Sequence, residues 1–184
     1  AELDAIPDRQ ITAIEQEIKL FKNAIQQART DISNLGEKLS ASLPEQEQAL
    51  FDAFLAILDD SGIGNEVLQE IKQGNWAQGA LRKVILRHVR HFEALDDDYF
   101  SERAADIRDL GLRVLSYLQE DQPVVLNYPP QTILIGEEIS ASALAEVPEG
   151  RLAGVVSLAG SMNSHVAILA RALGIPAVMG LDGL

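Results

Sequence analysis

The segment Val155-Val156-Ser157-Leu158-Ala159-Gly160-Ser161-Met162-Asn163-Ser164-His165-Val166-Ala167-Ile168-Leu169-Ala170-Arg171-Ala172-Leu173-Gly174-Ile175-Pro176 reads as a strand, a glycine-loosened turn and a short helix. Val155, Val156 and Leu158 have the apolar character of a strand buried in a parallel sheet. Ser164 is a preferred N-cap type, which puts His165 in the first helical turn. Gly174 supplies a left-handed stop, and Pro176 makes the stop sharp. A helix start leaves N–H groups unpaired and carries the positive end of the helix dipole, so it attracts anions. An imidazole has a nucleophilic nitrogen near neutral pH, and such a terminus stabilises charge building on a phosphate. The residues alone leave two readings open: a histidine that carries a phosphoryl group, or a polar helix-end residue without chemistry.

Outward from this segment, residues 124–184 alternate β-branched, proline and glycine residues in short runs. Thr132-Ile133-Leu134-Ile135 predicts a strand, and Ser140 caps a short helix running to about Val147. Leu152 to Leu158 predict a second strand, and Ala177-Val178-Met179 begin a third. The order βαβαβ implies a parallel sheet with right-handed crossovers, in which ligands meet the loops at the carboxyl ends of the strands. These 61 residues are few for such a domain, so the sheet is expected to be incomplete at its ends, with exposed edges.

The pattern changes at Asp121-Gln122-Pro123, which marks a boundary between a helical domain (1–123) and a partial α/β domain (124–184). In the helical part, Ile14, Ile18, Phe21, Ile25, Ala28, Ile32, Leu35 and Leu39 alternate spacings of three and four, a heptad seam. A self-associating coiled coil is one outcome, but the later helices offer matching stripes, which favours an intramolecular bundle. A second helix starts at Glu45 and is kinked or split at Asp59-Asp60-Ser61-Gly62-Ile63-Gly64 before a short piece bearing Val67, Leu68 and Ile71. A third runs from about Trp76 to Leu95 and a fourth from about Asp98 to Gln119, giving a four-helix arrangement of two hairpins. His88 and His91 lie three residues apart without a cysteine-rich or carboxylate-rich context, so helix packing and solvation are expected there rather than a metal.

The chain carries a formal charge of −13, and 1–123 hold most of it: 13 Lys and Arg against 23 Asp and Glu. Such a surface disfavours nucleic acid and would steer a small protein with a basic rim, with a solvated, solubility-giving surface as the plain alternative for most individual charges. There are no cysteines, which excludes disulfides and thiolate chemistry and suits a cytoplasmic location. No apolar run approaches membrane-spanning length, and Ala1-Glu2-Leu3-Asp4 has no signal-like character. Neither nucleic acid nor membrane is an expected partner.

The stretch from Gly160 to Gly180 resembles the phosphohistidine signature shared by enzyme I of the phosphoenolpyruvate-dependent phosphotransferase system, phosphoenolpyruvate synthase and pyruvate phosphate dikinase. The run Leu95-Asp96-Asp97-Asp98-Tyr99-Phe100-Ser101-Glu102-Arg103-Ala104-Ala105-Asp106-Ile107-Arg108-Asp109-Leu110-Gly111 looks like the helical domain of enzyme I and selects that family. Asn163 stands where the sugar-system enzymes usually carry threonine, and Gly74-Asn75-Trp76-Ala77-Gln78 also looks like the nitrogen-related branch. The resemblance covers most of the chain and fades at its first few residues. A barrel for phosphoenolpyruvate and magnesium (Mg2+), and the GAF domain of the nitrogen branch, have no counterpart here, so the chain reads as an N-terminal fragment with no cofactor of its own.

The resemblance implies a carrier-docking helical domain and a swivelling phosphohistidine domain, an α+α/β fold. His165 would take a phosphoryl group from phosphoenolpyruvate held by the barrel and pass it to a histidine of a carrier protein, HPr or its nitrogen-branch analogue NPr. Gly160, Asn163 and Ser164 would support the phosphate, with simple turn formation as the plain alternative for each. Arg171, six residues along, does not share the face of His165 and is assigned a structural pairing role. Carrier docking maps to Asp52, Phe54, Ala56, Ile57, Asp60, Ile63, Tyr99, Phe100 and Arg103, of which Phe54 and Phe100 are the first candidates for burial. At Gly62 the acidic residue expected in the sugar-system enzymes is missing. Two competing functions stand beside this one: a module that docks the carrier without competent transfer, and an oligomeric helical protein driven by the heptad seam.

Overall fold

The computed structural model describes residues 3–41, 43, 45–59, 61–95, 98–119, 127–161 and 164–181. A short 3₁₀ turn at Leu3–Ala5 precedes five helices: α1 (Ile14–Ser40), α2 (Glu45–Ile57), α3 (Ile63–Lys72), α4 (Ala77–Glu93) and α5 (Asp98–Leu118). There follow β1 (Thr132–Gly136), α6 (Ala141–Glu146), β2 (Leu152–Ser157), α7 (His165–Ala172) and β3 (Ala177–Met179). The expected α+α/β class is the observed one. The second helix is split rather than kinked: the N–H of Gly62 closes on the carbonyl of Asp59, and α3 starts at Ile63.

By packing, the chain forms two compact units, Ala1–Ser33 with Asp52–Val124, and Asn34–Phe51 with Val125–Leu184. Within the first, α4 packs on α3 and α5. Leu81, Val84, Ile85, Leu110 and Val114 are almost fully buried there, each contributing about 1.5–3 kcal/mol of transfer free energy. Gly111 makes the close helix contact possible, because a Cβ there would meet Ile85 Cγ1 at 2.7 Å. The heptad seam of α1 has no exposed member: Phe21, Ala28, Ile32 and Leu39 are buried, and Ile14, Ile18, Ile25 and Leu35 half-buried. Its apolar stripe is used inside the chain, leaving no bare seam for a coiled coil.

The segment before α1 lies against α4 and the α3–α4 turn. Trp76 Nε1 donates to the carbonyl of Pro7 at 3.0 Å, Trp76 N to that of Arg9 at 3.2 Å, and Ile11 N to that of Gly74 at 2.8 Å. Gln10 and Asn75 form an antiparallel bridge, and Arg82 binds the Ile6 carbonyl and Asp8. Gly74 has φ +96°, which favours glycine, and a Cβ there would press on Gln10 Oε1 at 2.8 Å.

In the second unit, β1, β2 and β3 make a parallel sheet in that order. Leu134, Val155 and Ala177 line up across the face that carries the buried residues, while α7 packs on α6 and β3. On the other face Ile133, Ile135 and Val178 remain 56%, 63% and 48% exposed. By packing, residues 34–51 group with this unit. The physical reason is local: Lys38 Nζ donates to the carbonyls of Ala145 at 3.0 Å and Val147 at 3.2 Å. Gly36 brings the first helix so near Phe51 that a Cβ would meet its Cβ at 3.1 Å.

Candidate functional site

His165 is the first residue of α7, half-buried, at the carboxyl end of the parallel strands. Ser164 is the N-cap: its backbone is extended, its side chain is buried, and its Oγ accepts from Ala167 N at 3.3 Å. The helix is thereby started by a neutral hydroxyl, which leaves the positive end of the dipole uncompensated by any acidic residue in the first turn. Ser164 N also closes on the Ser161 carbonyl at 3.0 Å, and Ile168 N on that of Ser164 at 2.9 Å.

Gly160 adopts φ +90° in the loop entering this turn, and Gly180, leaving β3, adopts φ +69°. A Cβ at Gly180 would lie 3.3 Å from the Gly160 carbonyl oxygen, so the two strand-end loops touch beside the helix start. The first strand's exit joins them: Leu158 N donates to Gly136 O at 3.1 Å, Ala159 N to Glu137 O at 2.7 Å, and Ser157 Oγ to Glu137 O at 3.3 Å. Three loops from three strands thus hold the turn that presents His165. The sequence motif identified Gly160 and Ser164, but Gly180 as a packing partner of Gly160 was not among the expected site residues. Its signal was present as the glycine directly after the third strand. Asn163 lies outside the described residues.

The expected docking residues fall in the first unit. Asp52 and Ala56 are exposed and Ile57, Phe100 and Arg103 half-buried. Phe100 stacks on Phe92 with ring centroids 6.0 Å apart, and Arg103 Nη1 lies 3.8 Å from Asp106 Oδ2. Phe54 and Ile63, at 2% and 4% exposure, are core residues rather than surface ones. The break before α3 turns Ile63 inward. Asp60 and the side chain of Tyr99 lie outside the described residues.

His88 is engaged by a carboxylate, with Nε2 2.9 Å from Glu66 Oε1. Among the described residues no three His, Asp or Glu side chains converge as a metal site requires, and no helix is long and apolar enough to cross a membrane.

Two family descriptions match the chain: "PEP-utilising enzyme, N-terminal" over residues 2–103, and "PEP-utilising enzyme, mobile domain" over 128–184. A Salmonella typhimurium relative named for the phosphoenolpyruvate-dependent phosphotransferase system is 38% identical over 171 residues, covering 93% of this chain and 23% of the relative. A Listeria monocytogenes phosphoenolpyruvate-protein phosphotransferase is 33% identical over 175 residues, covering 93% of this chain and 30% of the relative. The chain therefore spans between a fifth and a third of the length of these relatives. A solved structure described as the N-terminal domain of Enzyme 1 - Nitrogen superposes with a TM-score of 0.69 at 34% identity, covering 99% of this chain and 75% of that one. An Enzyme I solution structure gives 0.71 at 29% identity, covering 96% and 73%. With its two units and its helix-capped histidine, the chain belongs to the PEP-utilising enzymes and represents the N-terminal region of enzyme I of the phosphotransferase system.

Proposed function

We propose that this chain is the phosphoryl-relay part of a nitrogen-branch enzyme I, with His165 as the residue that carries phosphate. The observation that carries the reading is the position of His165 at the first residue of a serine-capped helix where three strand-end loops meet. A ring nitrogen of His165 attacks the phosphorus of phosphoenolpyruvate in line. The bond to the enol oxygen breaks, and the enolate takes up a proton to become pyruvate. A histidine nitrogen of an HPr-like carrier, HPr or NPr, then attacks the same phosphorus, and the bond to His165 breaks with its electron pair returning to the imidazole. Such transfers depend on positioning and charge stabilisation more than on acid–base groups. The N–H groups of the first turn of α7 face accumulating negative charge, while the Ser164 cap and the Gly160 turn fix the ring's approach.

Phosphoenolpyruvate and its magnesium would be held by a separate barrel domain of the whole enzyme, where the ion would neutralise phosphate charge; this chain contributes the nucleophile and the helix start that faces it. The carrier docks on the first unit around Asp52, Ala56, Ile57, Asp60, Tyr99, Phe100 and Arg103, with Phe54 and Ile63 beneath. The acidity of residues 1–123 suits a carrier with a basic rim and disfavours nucleic acid.

The test is to incubate the chain with phosphorylated carrier. Reversible appearance of an acid-labile phosphate that is lost in His165→Ala is the expected result. Carrier binding without label would reduce the chain to a docking module, and absence of both would overturn the reading.

A further inference from the structure

Helix α4 collects Arg82, Lys83, Arg87 and Arg90 against a single acidic residue, Glu93, in a chain of charge −13. These four cations, with Leu86 and with Asp4 of the opposing N-terminal segment, line a cleft of about 610 Å³. Sites for metabolites have volumes of roughly 300–1,000 Å³. Their spacing places Arg82, Leu86 and Arg90 on successive turns of one side, with Lys83 and Arg87 beside them.

Part of this charge is committed to the fold. Arg82 pairs with Asp8 at 2.7 Å and with the Ile6 carbonyl; Lys83 donates to Asn75 Oδ1 at 2.9 Å and lies 3.8 Å from Asp8. Arg87 pairs with Glu66 at 2.7 Å and Glu70 at 3.7 Å, and the Asp4 carboxylate is taken by Arg108 at 3.2 Å. The remainder is not committed. The Arg90 side chain makes no hydrogen bond or ion pair among the described residues. Along α4 the lining cations fall in two groups, Arg82 with Lys83 and Arg87 with Arg90, separated by the apolar Leu86, and the Arg90 guanidinium is the uncommitted donor.

We propose that this cleft is a binding site for a small molecule with two anionic groups, phosphates or carboxylates, joined by a short spine that lies over Leu86. Arginine forks recognise either group through paired N–H bonds. The site is independent of the His165 relay and uses none of its residues.

The test titrates pyrophosphate and, separately, succinate into the intact chain at low salt, followed by amide NMR shifts and calorimetry. The expected result is saturable one-site binding of at least one probe with shifts centred on residues 82–90. The better probe tells phosphate from carboxylate chemistry. Arg90→Ala should weaken binding about tenfold, whereas Lys22→Ala, which removes an exposed cation of α1, should leave it unchanged. Equal weakening by both variants would show diffuse attraction only, and no saturation by about 10 mM of either probe would equally overturn the site. Unchanged thermal unfolding of Arg90→Ala confirms that the loss is one of binding.

Discussion

The Nε2 of His88 lies 2.9 Å from Oε1 of Glu66, tying α4 to α3. Arg87 Nη2 holds the other oxygen of that carboxylate at 2.7 Å. Burial alone would push the Glu66 carboxyl up, but the hydrogen bonds and positive charge of Arg87 and His88 outweigh it and hold it below its ordinary value. A depressed carboxylate stabilises the fold above its unfolded-state pKa, and that contribution disappears as pH falls through the folded-state value. Glu66→Gln should therefore flatten the acid limb of stability and cost about 0.5 kcal/mol at neutral pH, a small figure because the Glu66 side chain is 39% exposed. Urea unfolding across the acid range measures this; an unaltered slope would show that the pair contributes nothing.

Gly180→Ala tests the contact between strand-end loops. Alanine there meets both an unfavourable left-handed φ, about 1 kcal/mol, and the Gly160 carbonyl at 3.3 Å. Gly174 has nearly the same φ, +68°, but open space around it. Both alanine variants should lose a few degrees of thermal stability, roughly 2–4 °C per kcal/mol. Only Gly180→Ala should also slow phosphoryl exchange at His165 disproportionately, read by rapid-quench labelling.

Gly111→Ala addresses the packing of α4 on α5. A Cβ would meet three carbons of Ile85 at 2.7–3.0 Å, and Ile85 is fully buried. Overpacking of this kind costs about 1–3 kcal/mol, offset by about 1 kcal/mol of helix propensity. A net loss of up to about 2 kcal/mol is expected, and Ile85→Val should recover part of it in a double-mutant cycle.

Ile57→Glu places a charge in the half-buried patch between exposed Ala56 and buried Leu58. Calorimetry with the carrier should show a loss of about 2 kcal/mol or more in affinity. Asp52→Lys, at an exposed position, guards against misfolding as the cause and should also weaken a basic partner. Full affinity in both would remove this surface from the docking assignment.

The second unit's elements were legible because two independent signals coincide in each. Ser140 and Ser164 are cap residues, each accepting from the N–H three residues on, at the point where strand composition gives way to an apolar helix pattern. Burial of Phe54 and Ile63 was harder to read in full, because the break at 59–62 resets the helical phase between them. The N-terminal segment left no trace at all. Several of its anchors are the carbonyls of Ile6, Pro7 and Arg9, and a carbonyl has no residue-specific signature. Nor does periodicity name a partner: α1 keeps one apolar stripe while the unit it serves changes after Ser33. The partner of His88 stands 22 positions upstream, beyond any local pattern.

The bond from Lys38 to the carbonyls of Ala145 and Val147 joins positions 107 and 109 residues apart in sequence. During synthesis the stretch 34–51 therefore emerges long before the strands it belongs with, and the unit bearing His165 closes only after the intervening helices have been made. Loop closure over that distance makes this the late, non-local step of folding. It also bears on transplanting the unit. A piece cut at residue 123 would carry His165 and its capped helix into a new protein but leave Lys38 and Phe51 behind. A fusion protein built on that piece would lack both hydrogen bonds from Lys38.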